Sequence, residues 1–142
     1  YKTPKGKIVY GGGGIMPDVF VSLDTAKYSA FVNRLFYTGL ITEFGFTYSD
    51  KYRNEILKKY KADKFVTDFV LGDNAIVEFY ALIQKKKIEI PDTEKTKSNA
   101  NLKQLIKALV GRNLYDKDAY YPIINQTDNS LKKAIEVLET PK

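Results

Sequence analysis

Leu102-Lys103-Gln104-Leu105-Ile106-Lys107-Ala108-Leu109-Val110 decides the fold class. Its large apolar residues stand at 102, 105, 106, 109 and 110, the i, i+3, i+4, i+7, i+8 spacing of one face of an α-helix. A strand would alternate with period two, and this stretch does not. Lysines fill the gaps at Lys103 and Lys107, so the segment predicts an amphipathic helix laid on a core. Gly111 to Asn113 weakens its end without fixing where it stops.

The same spacing recurs upstream. Tyr28, Phe31, Val32, Leu35 and Phe36 share a face, with Asp24 or Thr25 placed to cap that helix and Gly39 to end it in a left-handed conformation. A second helical stretch runs from near Thr42 to about Tyr60. Gly45 and the cluster Thr47-Tyr48-Ser49-Asp50 predict a break in it, with Ser49 or Asp50 capping the later part. That part carries a stripe of Tyr52, Ile56, Leu57 and Tyr60. Asp63 to Leu71 reads as a short helix or turn closed by Gly72. Asp73 or Asn74 then caps a helix with Ile76, Phe79, Tyr80 and Ile83 facing the core, ending at Lys85-Lys86-Lys87. Ile88 to Pro91 is extended, because a residue before proline is pushed out of the helical region. The polar segment Asp92 to Asn101 carries loop signals.

Downstream, Asp116-Lys117-Asp118 opens a short helical turn holding Tyr120, Tyr121, Ile123 and Ile124, with Pro122 tolerable only in a first turn. This is the densest apolar patch of the chain and a place for an intramolecular or subunit contact. Asn125 to Asn129 is a polar break that caps a last helix. That helix is expected to bury Leu131, Ala134, Ile135 and Leu138 and to stop at Pro141. The sum is a mainly α protein, a small helical bundle.

The N-terminal end has a different character. Gly11 to Gly14 sit between Ile8-Val9-Tyr10 and Val19-Phe20-Val21, two runs rich in β-branched and aromatic residues. Four glycines suit a turn or bulge rather than a regular element. The expectation is a short N-terminal β-hairpin-like segment. Since a lone hairpin is marginal in water, it reads as the end of a larger sheet or as packed on the helices. Residues 1–23 are thus a terminal β segment of a preceding domain, and 24–142 are a helical domain. The opening Tyr1-Lys2-Thr3-Pro4-Lys5 has no initiator Met and no signal core, which reads as a piece of a longer chain.

Composition narrows the chemistry. The 142 residues make about one domain, with no run near the ~20 apolar residues of a membrane helix. There is no Cys and no His, which removes disulfides, thiol nucleophiles and His-based metal sites or triads from these residues. Net charge is +6. A basic balance admits an acidic partner, but Lys58-Lys59, Lys85 to Lys87 and Lys132-Lys133 read as solvated faces, two of them late in helices where cations complement the dipole.

No candidate site emerges. Gly11 to Gly14 lack the Lys-Ser/Thr ending of a phosphate loop and the spacing of a dinucleotide fingerprint. Glu43 and Asp50 have no distinguishing spacing for acid–base work, and Asp92, Glu94, Asp116 and Asp118 do not reproduce a calcium loop. Ser22, Ser29, Ser49, Ser98 and Ser130 fall at caps or in polar loops, so none is assigned as a nucleophile. The eleven tyrosines and eight phenylalanines fall mostly on apolar faces and read as core rather than as a base-stacking surface. The sequence therefore yields no catalytic residue, no cofactor-binding residue, no metal ligand and no cofactor.

The opening segment, Tyr1-Lys2-Thr3-Pro4-Lys5-Gly6-Lys7-Ile8-Val9-Tyr10-Gly11-Gly12-Gly13-Gly14-Ile15-Met16-Pro17-Asp18, resembles the end of the catalytic domain of carboxyl-terminal processing peptidases, also called tail-specific proteases. Their pattern is Tyr-x-Thr-x-x-Gly-Arg-x-(Val/Ile)-x-Gly-x-Gly-Ile-x-Pro-Asp, with Lys7 here in place of the usual Arg. The glycine run followed by Asp24-Thr25 looks most like Bacteroidetes-type members. Arg112 to Tyr115 and Tyr121 to Asp128 are similar to the helical C-terminal region of those proteins.

The resemblance implies a periplasmic or envelope serine hydrolase whose Ser/Lys dyad and PDZ domain lie upstream, with this chain as its non-catalytic C-terminal part. The implied partners are the upstream catalytic domain and, for the whole protease, protein substrates; a homo-oligomer is compatible, and nucleic acid is not favoured. The implied role is packing, assembly or control of substrate access. A basic helical binding module for nucleic acid or another acidic partner is the alternative.

Overall fold

Asn99–Tyr115, the helix announced by the spacing at Leu102 to Val110, is the axis of the bundle (α6). In the structure, a computed structural model describing residues 1–4, 6, 8, 17–22 and 28–140, Leu102, Ile106, Ala108 and Val110 are fully buried. Each buried Leu or Ile contributes about 1.5–3 kcal/mol of apolar transfer. Around α6 lie α1 (Ala30–Tyr37), α2 (Leu40–Lys59), α3 (Ala62–Asp68), α4 (Asp73–Lys85), α5 (Asp92–Lys97) and α7 (Lys117–Asn125). The last helix is α8 (Asn129–Glu139). Among the described residues 73% of the structure is helical and no sheet forms, so the mainly α expectation holds.

α6 packs most extensively on α2 and α7, and it also touches α3, α4 and α5. Two glycines set how closely the axes approach. A Cβ on Gly45 would stand 2.9 Å from Leu109 Cβ, and one on Gly111 would stand 3.0 Å from both Ala119 Cβ and a Phe65 ring carbon. Gly45 therefore does not break α2. It is the contact point at which α2 crosses α6, and the helix runs on for 20 residues. Ser49, expected as a cap, is buried in mid-helix. Its hydroxyl donates to the Gly45 carbonyl at 2.6 Å and accepts from Asn113 Nδ2 at 3.2 Å.

Other boundaries also move. The cap of α1 is Ser29, whose Oγ accepts from the Val32 N–H at 3.2 Å; Asp24 and Thr25 lie outside the described residues. Gly39 takes the expected left-handed conformation at φ 76°, but it also starts α2 directly. Asp73 is the first residue of α4 rather than its cap, which is Gly72. The segment 92–101 is not a loop. Asp92 and Glu94 in the first turn and Lys95 and Lys97 in the last complement the dipole of α5, which leads through Ser98 into α6.

Pro122 stands inside α7, past its first turn. It removes one backbone bond, to the carbonyl of Asp118, and both residues are exposed, so water can take that carbonyl. Asp116, at φ 54°, turns the chain so that α7 folds back along α6.

Two expectations fail at the ends. Val19-Phe20-Val21 form no strand, and the pairing seen among the described residues is a single antiparallel bridge between Lys2 and Ile8. Gly11 to Gly14 and Pro141 lie outside the described residues. Asp128 caps α8 as anticipated, accepting from Ser130 N at 2.8 Å and Leu131 N at 3.0 Å. Yet no residue of α8 is buried. Leu131, Ala134, Ile135 and Leu138 share a face that stays outside the core, from Leu131 at 39% exposed to Leu138 at 84%, and α8 packs extensively on no other helix.

Candidate interaction surface

Of the titratable and nucleophilic groups singled out in the sequence, those that are bonded serve structure. Glu43 pairs with Lys86 at 3.2 Å and Asp50 with Arg53 at 3.1 Å, both exposed. Asp92 pairs with Lys95 at 2.7 Å. Ser22 and Ser130 are exposed, and Ser29 and Ser98 meet at Glu94. The Ser29 hydroxyl donates to Glu94 Oε2 at 2.7 Å, and Ser98 donates to the same oxygen.

That shared carboxylate ties the N-terminus of α1 to the α5–α6 junction. The Ser98 hydroxyl, then that of Ser29, holds the Glu94 carboxyl below its ordinary pKa, since both bonds favour the charged form. This cluster was not visible in the sequence, because Ser29 stands 65 residues from Glu94.

Lysine chemistry shows the same structural employment. Lys107 on α6 donates to the Val66 carbonyl at 2.8 Å, and partial burial lowers its pKa. A lowered lysine pKa is one requirement of a Ser/Lys dyad. Among the described residues no serine hydroxyl bonds to it. Elsewhere, Lys51 pairs with Glu78, Lys64 with Asp68 and Lys103 with Asp73, so positive charge is interleaved with negative.

Two apolar depressions remain. One of about 310 Å³ lies between α1 and α7, lined by Val32, Phe36, Leu105, Tyr120 and Ile124 among others. Here the aromatic patch at 120–124 divides. Ile123 enters the core, Tyr120 lies beneath the Arg112 guanidinium at 5.5 Å, and Tyr121 stays exposed.

The larger depression, about 560 Å³, runs between Pro17-Val19-Phe20-Val21 and one side of α8, at Ser130, Lys133, Ala134, Val137 and Leu138. Phe20 is 81% exposed and Leu138 84%. Single exposed apolar residues are normal, but a contiguous run of them on one helix and the irregular segment beside it marks an interaction surface. The sequence did reveal which residues share the face of α8. It did not reveal that this face is left uncovered.

A family described as a family of unknown function (DUF8443) matches residues 31–116, more than half of the chain, and the chain belongs to it. Comparison with curated proteins and with solved structures gives no match. The matched region runs from α1 to the end of α6. The two parts that build the larger depression, 17–21 and α8, lie on either side of it in sequence and face each other in space. No helix among the described residues is long and apolar enough to cross a membrane.

Proposed function

We propose that this chain is the helical C-terminal part of a carboxyl-terminal processing serine peptidase of the periplasm or cell envelope. In this reading it carries no catalytic residue and serves packing and assembly beside the upstream catalytic domain. One observation carries it. The segment resembling the end of the peptidase domain, Tyr1 to Asp18, continues without interruption into Val19-Phe20-Val21, which wall the apolar groove along α8. Exposed apolar side chains directly after that segment support a contact with a domain upstream of it.

The bonding of the polar groups adds support. The serine hydroxyls of Ser29, Ser49 and Ser98 hold helices together, and the lysines named above pair with carboxylates or, for Lys107, donate to a carbonyl. The paired lysines also lower the claim of a nucleic-acid module, which needs a face of one sign.

The test is the coding sequence directly upstream of Tyr1, followed by peptide hydrolysis assays on the longer protein. The expected result is a serine nucleophile and a lysine base behind a PDZ-like segment, with hydrolysis abolished by replacing that serine and absent from residues 1–142 alone. An upstream frame without such a pair contradicts the proposal. So does turnover by these residues alone, with a serine-reactive probe mapping to one of them. A steep salt dependence of nucleic-acid affinity would shift the case to the alternative.

A further inference from the structure

The geometry points to α8 as a self-association helix that pairs antiparallel with α8 of a second copy of this chain, its Lys132 set against the other copy's Glu139 and the reverse. This names the partner of the assembly role proposed above, and it rests on that reading for its biological setting only. The physical case stands on α8 itself.

Leu131, Ala134, Ile135 and Leu138 follow i, i+3, i+4, i+7 and form one stripe, all four exposed. Lys132 and Glu139 are seven residues apart, two turns, and so stand one above the other on the same flank of that stripe. The opposite flank, Ser130 and Val137, faces the groove walled by Phe20, which Ala134 and Leu138 at the near edge of the stripe also line. On the back, Lys133 and Glu136 already pair with each other at 2.7 Å. Lys132 and Glu139 carry no ion pair among the described residues, and both are exposed.

Charge complementarity selects the occupant and its direction. The flanking pair has a basic member near the start of α8 and an acidic member near its end. In an antiparallel two-fold pair, like flanks meet. An axis near Ile135 therefore brings Lys132 opposite Glu139 twice over, while the apolar stripes close on each other. A parallel pair would instead place the charged flank against Ser130 and Val137 and satisfy neither charge. The helix is only 11 residues long, about 16 Å. Even with Phe20 extending the apolar floor, the buried area falls at the low end for specific interfaces, below ~1,200 Å², so a weak dimer with Kd on the order of tens of micromolar is expected.

Sedimentation equilibrium of residues 1–142 over a wide concentration range tests this, with far-UV circular dichroism confirming that each variant is folded. The unaltered chain should show a reversible monomer–dimer equilibrium. Lys132→Glu alone and Glu139→Lys alone should each weaken it by about tenfold at low salt, because symmetry turns both ion pairs into repulsions. Mixing those two single variants should restore association as a heterodimer, and Lys132→Glu with Glu139→Lys in one chain should restore the homodimer. Leu138→Asp should abolish association while leaving the dilute chain folded.

A chain that stays monomeric at every concentration overturns the inference. So does a dimer indifferent to these charges, or single variants that do not complement each other. The two proposals fail separately. A dimer with no peptidase encoded upstream sinks only the peptidase reading, and a monomer beneath a peptidase domain sinks only this one.

Discussion

Leu102, Leu105, Ile106 and Leu109 on α6 repeat at the same spacing as Leu131, Ala134, Ile135 and Leu138 on α8, yet the first set is buried and the second is exposed. The two helices differ in what surrounds the stripe. α6 has five helices packed about it, close-approach glycines at both of its main crossings, and polar anchors that fix its rotation. Gln104 donates to the Ile123 carbonyl at 3.0 Å, and Tyr115 donates to that of Tyr60 at 2.6 Å. α8 has its Asp128 cap and the Lys133–Glu136 pair, both local to the helix. Local devices shape a helix; only neighbours bury it. An apolar stripe states that a partner is wanted and leaves open whether the chain itself supplies one.

The largest effects are expected inside the bundle. Phe79 is fully buried on α4, with its ring 5.1 Å from that of Phe44 on α2. Phe79→Ala should cost about 3–5 kcal/mol, read as a loss of denaturant midpoint, because the deleted ring leaves a cavity among packed helices. Next comes the α2–α6 crossing. Gly45→Val should destabilise by about 1–3 kcal/mol, since even a Cβ at 2.9 Å from Leu109 Cβ must push the helices apart. A gain in stability would mean that α2 and α6 do not meet closely there.

A smaller effect is expected where α1 is tied to the rest. Glu94→Gln should lose about 1 kcal/mol at neutral pH, discounted for its partial exposure, as two hydroxyl bonds to a carboxylate become bonds to a neutral amide. The sign with pH follows from its lowered pKa. Its contribution is present above the ordinary value of 4.5 and disappears as pH falls through the lowered one. Thermal melts at neutral pH should therefore separate the variant from the parent, and melts below that lowered pKa should not. At the far end of the scale stands α8. Leu138→Ser should change the stability of the dilute chain by less than about 0.5 kcal/mol, because that side chain is almost fully exposed.

Much of this contrast was legible in the residues. Period identified α1, α4, α6 and α8 and the buried faces of the first three, with Phe31, Val32, Leu35, Ile76, Phe79, Ile83 and Ile106 inside as expected, while of the N-terminal caps only that of α8 fell where the residues pointed. What escaped was set by tertiary context. Gly45 reads as a breaker until Leu109 is known to press against it, and Ser49 reads as a cap until Asn113 arrives across the core. Asp92 to Lys97 reads as a loop because it is polar all round, although its charges are ordered along the helix dipole. Val19 to Val21 has strand-forming residues and no neighbour to pair with among those described. The site was harder still, because it consists of apolar side chains left uncovered, and spacing alone does not record covering.

Unlike α1, α4 and α6, α8 meets the partner of its apolar stripe outside this chain. Amide hydrogen exchange measured as a function of protein concentration tests it most directly. An uncovered helix of 11 residues is marginal by itself, so its amides should exchange quickly in dilute solution. They should gain protection as concentration rises, while the amides of α2 and α6 stay protected throughout and unchanged. Amides of α8 protected to the same degree as those of α6 at every concentration would mean that the chain itself covers α8.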